Sequence, residues 1–131
     1  VELQIVDRDA HELSPQAPLL LERWTGPATV QPEIFQSMIE LSTGICRDAA
    51  DAEAQLRATA GALLPIAREL GLRFISTGTH PTARYTERLV FPAERYHGLI
   101  ARNQWIARRL QIFGLHVHIG MESPELSLIH I

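Results

Sequence analysis

The chain opens on an alternation. In "VELQIVD", Val1, Leu3 and Ile5 fall on one side while Glu2, Gln4 and Val6 fall on the other. That period of two predicts a strand with a polar face carrying Glu2. "RDAHELSPQAP" is turn-rich, "LLLERW" reads as a short helical or irregular piece, and "TGPATVQP" is a cluster of breakers. The alternation returns in "EIFQSMIELSTG", where Phe35, Ile39 and Leu41 oppose Gln36, Met38, Glu40 and Ser42. This predicts a second strand with Glu40 on its polar face.

From Arg47 the period lengthens. Leu56, Ala60, Leu63, Ala67 and Leu70 recur at steps of three and four, which predicts an amphipathic helix ending at Gly71. Asp48 and Asp51 suit its N-terminal dipole, and Pro65 predicts a kink. "LRFISTGTHP" predicts a strand running into a loop near Gly78. "PAERYHGLIARNQWIARR" predicts a second helix with Tyr96, Leu99, Ile100 and Ile106 along one face, and "LQIFGLHVHIGM" a last strand. The order is β, β, α, β, α, β, an α+β chain without repeats or low-complexity tracts.

Composition narrows the class. At 131 residues, 46% hydrophobic and 21% charged, the chain has the size and make-up of one globular domain. A net charge of -3 argues against a general nucleic-acid binder, and no apolar run is long enough to span a bilayer. All 12 basic residues are arginines, the better fork for carboxylates and phosphates. Cys46 is the single cysteine, which fits a reducing compartment and points to a cytoplasmic, structural, buried thiol. The N-terminus has no signal-peptide pattern. It begins inside a strand without Met, so the chain reads as a piece of a longer one.

The candidate chemistry lies on the strands. On a strand, His116 and His118 would stand on one face about 6–7 Å apart, able to converge on a metal. Two histidines hydrogen-bonded on an open sheet face explain the run equally well. Glu2 and Glu40 sit on strands among semi-buried side chains, where a carboxylate is normally paired or metal-bound. Arg47, Arg84 and Arg109 are the available partners for Glu40. Glu33, beside Pro32, reads as solvent-facing. Carboxylate-rich donors suit Mg²⁺ or Mn²⁺ and phosphate chemistry, whereas two histidines with one carboxylate suit a zinc hydrolase. In "GTHPTARYTER", His80–Pro81 sets a turn, and Arg84 and Arg88 follow in a loop able to hold an anion. No phosphate-loop, dinucleotide or serine-hydrolase motif is present.

In their order, "VELQIVD", "PEIFQSMIELSTGICRD", "GLRFISTGTHPTARY" and "ARRLQIFGLHVHIG" resemble the carboxylate–amine ligases of the glutamate–cysteine ligase type 2 family, over residues 1–121. The resemblance implies a glutamine synthetase-like catalytic fold, an antiparallel sheet with helices packed on one side, incomplete at this length. It implies ATP with Mg²⁺ (or Mn²⁺), an acyl phosphate, and glutamate and cysteine as acid and amine. No nucleic-acid or membrane partner is expected, and a homo-oligomer is compatible. Glu2 matches the second acidic position of the family's opening G-[IV]-E-x-E strand, Glu40 the glutamate of Q-S-x-x-E, and His116 the histidine of G-[IL]-H. These three are the implied metal ligands, with Glu33 a further one. His118 and His80 are placed toward the nucleotide, and Arg84 and Arg109 toward phosphate or substrate carboxylate. Residues 1–131 correspond to the N-terminal third of such a ligase, and 122–131 read as a truncation tail. A zinc hydrolase using His116 and His118, or a non-catalytic domain, are the alternatives.

Overall fold

The opening alternation becomes β1 (Glu2–Asp7), and β1 lies inside the sheet, paired on both sides. The computed structural model describes residues 1–110 and 112–125. Among these residues a four-stranded antiparallel sheet runs in the order β2–β3–β1–β4, with β2 at Val30–Pro32, β3 at Met38–Leu41 and β4 at Leu72–Ile75. Three helices accompany it, α1 (Ala17–Arg23), α2 (Ala49–Glu69) and α3 (Glu94–Arg108). A single 3₁₀ turn covers Tyr85–Glu87. The class is α+β, as the hydrophobic pattern predicts.

Register decides what each face carries. Leu3 lies opposite Ile39, Ile5 opposite Phe74, and Val30 opposite Leu41. Directly opposed residues of antiparallel strands point to the same side, so these form one apolar face. Against it pack Leu20 of α1 and Leu63 and Ala67 of α2; Ile5, Leu20, Ile39 and Leu63 are fully enclosed. Each such side chain contributes roughly 1.5–3 kcal/mol on leaving water.

α2 has the ends its sequence announces. The Asp48 carboxylate accepts the Asp51 amide hydrogen bond at 2.8 Å, satisfying a donor the first turn leaves free. Just past its end, Gly71 adopts φ +69°, a left-handed conformation that turns the chain straight into β4. Pro65 sits on the exposed side and does not divide the helix.

The helices are not confined to one side. α1 and α2 cover the apolar face, whereas Met38 and Ile75, which point to the other, join a second cluster with Phe35, Tyr96, Ile100 and Phe113. α3 therefore packs through Tyr96 and Ile100, but Leu99 and Ile106 are exposed and Ala107 is buried instead. Tyr96, Ile100 and Ala107 follow the i, i+4, i+11 spacing of one helical face, beside which Leu99 and Ile106 fall; the backbone is locally broken at Gln104 (φ 49°, ψ -125°).

Other expectations also change. β2 lies in the stretch read as breakers; Pro32 is tolerated there because β2 is an edge strand. The strand expected across "EIFQSMIELSTG" shrinks to Met38–Leu41, since the Met38 amide turns back to the Phe35 carbonyl at 3.0 Å. Residues 112–121 form no strand; Ile112 makes one isolated bridge, to Thr79. Gln111, within that expected strand, and residues 126–131 of the expected truncation tail lie outside the described residues. Cys46 is only partly buried, its thiol donating to the Gly44 carbonyl at 3.3 Å. Among the described residues no helix is long and apolar enough to cross a membrane.

Leu63→Ala is expected to destabilise the chain by about 2–5 kcal/mol, read from the denaturant midpoint. Leu64→Ala, one position along and 41% exposed, should stay within about 0.5 kcal/mol.

Candidate functional site

The face of the sheet turned away from α1 and α2 carries the polar residues of the opening strand. Glu2 is directly opposite Glu40, Glu40 is opposite Gln31 of β2, and Gln4 is opposite Met38. The pairing therefore sets two carboxylates side by side across the β1–β3 ladder. Glu33 follows immediately after β2, its Oε2 accepting the Ile34 amide at 3.0 Å.

Glu2 and Glu33 line one wall of a cleft of about 250 Å³, with His116 at its rim and Met38, Phe35 and Phe113 forming its apolar part. Glu33, read from sequence as solvent-facing, is thus half-buried in the cleft. Burial pushes its carboxyl above the usual range, and the charges of Glu2 and Glu40 add to the rise. Among the described residues no arginine forms an ion pair with Glu2, Glu33 or Glu40. Arg47, one of the three arginines available to Glu40, pairs with Asp51 at 3.7 Å.

His116 reaches the cleft without a strand beneath it. The Glu2 amide donates to the Gly114 carbonyl at 2.8 Å, and the Gly114 amide donates to Glu2 Oε2 at 2.9 Å. This clasp fixes the "FGLHVHIG" run beside β1, two residues short of His116. His118 is exposed and does not line the cleft. With no strand at 113–120, the pairing of the two imidazoles on one face is lost.

The remaining expected residues lie elsewhere. His80 is buried with both ring nitrogens engaged: Nε2 is 2.9 Å from the His11 carbonyl, and Nδ1 accepts the Thr82 and Ala83 amides at 3.3 and 3.1 Å. The ring thus ties the 80–83 turn to the loop at His11. Arg109 is exposed and stacks over Trp105 at 4.4 Å and Tyr85 at 5.3 Å. Arg84 is exposed, at the start of the 3₁₀ turn. Neither arginine lines the carboxylate cleft.

The donor chemistry suits a hard cation, since carboxylate oxygens predominate on this face. Closure is a different matter: among the described residues no three His, Cys, Asp or Glu side chains converge closely enough to hold a metal. The Glu2 carboxylate is held by Gly114 instead. The fit is therefore one of donor type and placement, not of a formed coordination sphere.

Sequence reasoning passed over two residues. Gln4 is fully buried, yet neither atom of its side-chain amide has a hydrogen-bond partner. Its parity with Glu2 was the available signal. Tyr96, read only as part of an apolar helix face, donates its hydroxyl to the Pro32 carbonyl at 2.5 Å, next to Glu33. Burial, and then the charge of Glu33, pushes its pKa up to about 12, so it remains a donor throughout the neutral range.

Two outcomes follow from these environments. The folded state holds the Glu33 proton more tightly than the unfolded chain, so stability falls as pH rises from about 4.5 through the raised folded value. Glu33→Gln keeps an oxygen for Ile34 and should be more stable than the parent at pH 7, with the gap closing below about pH 4. A denaturant midpoint that does not rise at pH 7 would contradict this. Gln4→Met, which removes a buried unpaired amide at similar volume, should raise stability by about 1–3 kcal/mol; a loss in the same measurement would show that the amide is bonded.

The profile of glutamate–cysteine ligase family 2 matches residues 1–129. A Bdellovibrio bacteriovorus protein named "Putative glutamate--cysteine ligase 2" is 46% identical over 126 residues, covering 95% of this chain and 33% of its own length. A Gloeobacter violaceus protein of the same name is 41% identical over 132 residues, with 98% and 36% covered. "Putative glutamate--cysteine ligase 2-1" of Frankia alni is 37% identical over 133 residues, with 97% and 35% covered. The chain spans about a third of the length of these curated relatives.

Proposed function

Because the chain belongs to glutamate–cysteine ligase family 2, we propose that it forms part of the catalytic face of an ATP-dependent carboxylate–amine ligase. The substrates in this reading are glutamate and cysteine, joined through an acyl phosphate on a glutamine synthetase-like scaffold. The observation that carries it is the gathering of Glu2, Glu33 and Glu40 about one sheet face and its cleft, with no arginine in ion-pair contact with them among the described residues.

Like charges held together at a half-buried site raise one another's proton affinity, as at Glu33. A divalent cation relieves that repulsion. In the proposal Glu2, Glu40 and His116 are the ligands of Mg²⁺ or Mn²⁺, with Glu33 beside them. Bound with ATP, the ion would neutralise charge on the transferring phosphoryl group. Only Oε2 of Glu2 accepts from the Gly114 amide, so its other oxygen would be the one offered to a cation while the clasp is kept.

The chain's own residues then have distinct tasks. Phe35, Met38 and Phe113 exclude water from the apolar side of the cleft, which strengthens every charge interaction within it. Tyr96 fixes the carbonyl just ahead of Glu33 and so holds that carboxylate's position.

The test is ADP release by the gene product that carries this chain, supplied with ATP, glutamate and cysteine in Mg²⁺ or in Zn²⁺. Turnover is expected with Mg²⁺, and Glu40→Gln should lower it on the order of 100-fold, the loss typical of removing one electrostatic stabiliser. Circular dichroism checks that the variant is folded. Absence of ADP release under every pairing, with zinc-dependent hydrolysis in its place, would overturn the reading.

A further inference from the structure

Among the described residues no arginine lines the cleft of Glu2, Glu33 and His116. The arginines expected to serve it are engaged elsewhere. Arg109 stacks on Trp105 and Tyr85, and Arg84 stands at the start of the 3₁₀ turn. Arg88 turns inward, its guanidinium 5.3 Å over the Phe35 ring and Nη1 donating to the Leu110 carbonyl at 3.0 Å. Arg8, Arg23, Arg47 and Arg57 pair with carboxylates of their own.

One arginine nevertheless stands against the carboxylate face. Arg95, in the first turn of α3, is exposed and lays its guanidinium 4.4 Å over the Tyr96 ring. The Tyr96 hydroxyl donates to the Pro32 carbonyl, the group bonded to the Glu33 nitrogen. The ring therefore bridges Arg95 to the residue that forms a wall of the cleft. The charges agree with that placement. Burial raises both the Glu33 carboxyl and the Tyr96 hydroxyl; neighbouring glutamates add to the rise at each, and Arg95 is the cation that opposes it at both.

Arg95 makes no ion pair among the described residues, so its charge is left for a ligand. Contact with the ring restrains the guanidinium, while its N–H groups remain able to meet the two oxygens of a carboxylate in parallel. Being exposed, it is reached without any movement of the chain. In the proposed reaction the ATP phosphates share the divalent cation. The α-carboxylates of the two amino acids have no such partner, and the face of Glu2, Glu33 and Glu40 repels them.

We infer that Arg95 anchors the α-carboxylate of an amino-acid substrate at the border of this face. The inference rests on the ligase reading and adds a specificity-determining residue to it. Glutamate held in this way extends its γ-carboxyl along the face, whereas cysteine held in this way presents its amine. Both substrates carry the group, and analogues without it separate the two sources: 4-aminobutyrate for glutamate, cysteamine for cysteine.

Steady-state ADP release by the gene product that carries this chain, with ATP and Mg²⁺, provides the test. Arg95→Met should lower kcat/KM at least about tenfold for the substrate whose carboxylate is held. The loss should lie in KM, with kcat at saturation kept within about twofold. The matching analogue should be handled equally by parent and variant, in turnover or in calorimetric titration. Arg95→Lys returns the charge without the fork and should recover part of the loss. Equal losses with substrate and analogue, unchanged constants for both amino acids, or a rise confined to the KM for ATP would each overturn the assignment. Calorimetric titration with L-glutamate and with L-cysteine reads the same contact without turnover. A parent that releases no ADP removes the ligase reading alone, and the titration then decides the role of Arg95. Binding weakened at least about tenfold in Arg95→Met supports it; unchanged binding, or no binding of either amino acid to the parent at millimolar concentration, overturns it.

Discussion

Glu2 stands opposite Glu40 because Leu3 stands opposite Ile39, and this one register governs both faces of the sheet. A strand has two sides, and slipping β1 by one residue against β3 would exchange them. Ile5 would then leave the helices and Gln4 would enter the core against Leu20 and Leu63. The apolar packing of α1 and α2 is therefore what holds the carboxylates on the opposite face. Stability and site are two readings of the same ladder.

The carboxylate face is costly to keep. Gln4 is enclosed without partners, Glu33 is driven toward protonation, and Glu2 relies on a single amide from Gly114. Proteins normally pair polar groups that they bury. Here the cost is offset by the first core, where enclosed leucine and isoleucine side chains come from three strands and two helices. Tyr96 links the two sides of this balance. It is an apolar ring in the second cluster, and its hydroxyl fixes the backbone next to Glu33.

Much of this was legible in the sequence, and the failures share a cause. β1, β3 and α2 follow from periodicity because their partners come from nearby elements and their ends carry recognisable signals such as Asp48 and Gly71. Glu2 and Glu40 were assigned to polar faces by parity alone, which the register bears out. The run at 113–120 alternates as well as β1 does, yet it forms no strand. Alternation describes a surface that could pair, whereas a strand also needs a neighbour's amides and carbonyls. β2 was missed for the converse reason: three residues ending in proline carry no periodic signal, and only the adjacent edge of β3 makes them a strand. Glu33 and Arg88 could not be read from sequence because their burial comes from loops brought together by tertiary packing. Nothing in the local pattern of α3 marks the break at Gln104.

The interior place of β1 also bears on how the chain is made. β1 precedes both of its sheet neighbours, β3 and β4, in the order of synthesis. The β2–β3 pair and then β1 can assemble early, but the far edge of β1 stays open until Leu72–Ile75 has been added, after the whole of α2. Pairings so distant along the chain form slowly, since each must first close a long loop. For that interval Ile5 and Val6 lie beside an unfilled row of backbone donors and acceptors, the configuration that invites pairing with a neighbouring chain. The strand that anchors the finished sheet is thus the one most in need of protection while the protein is still emerging.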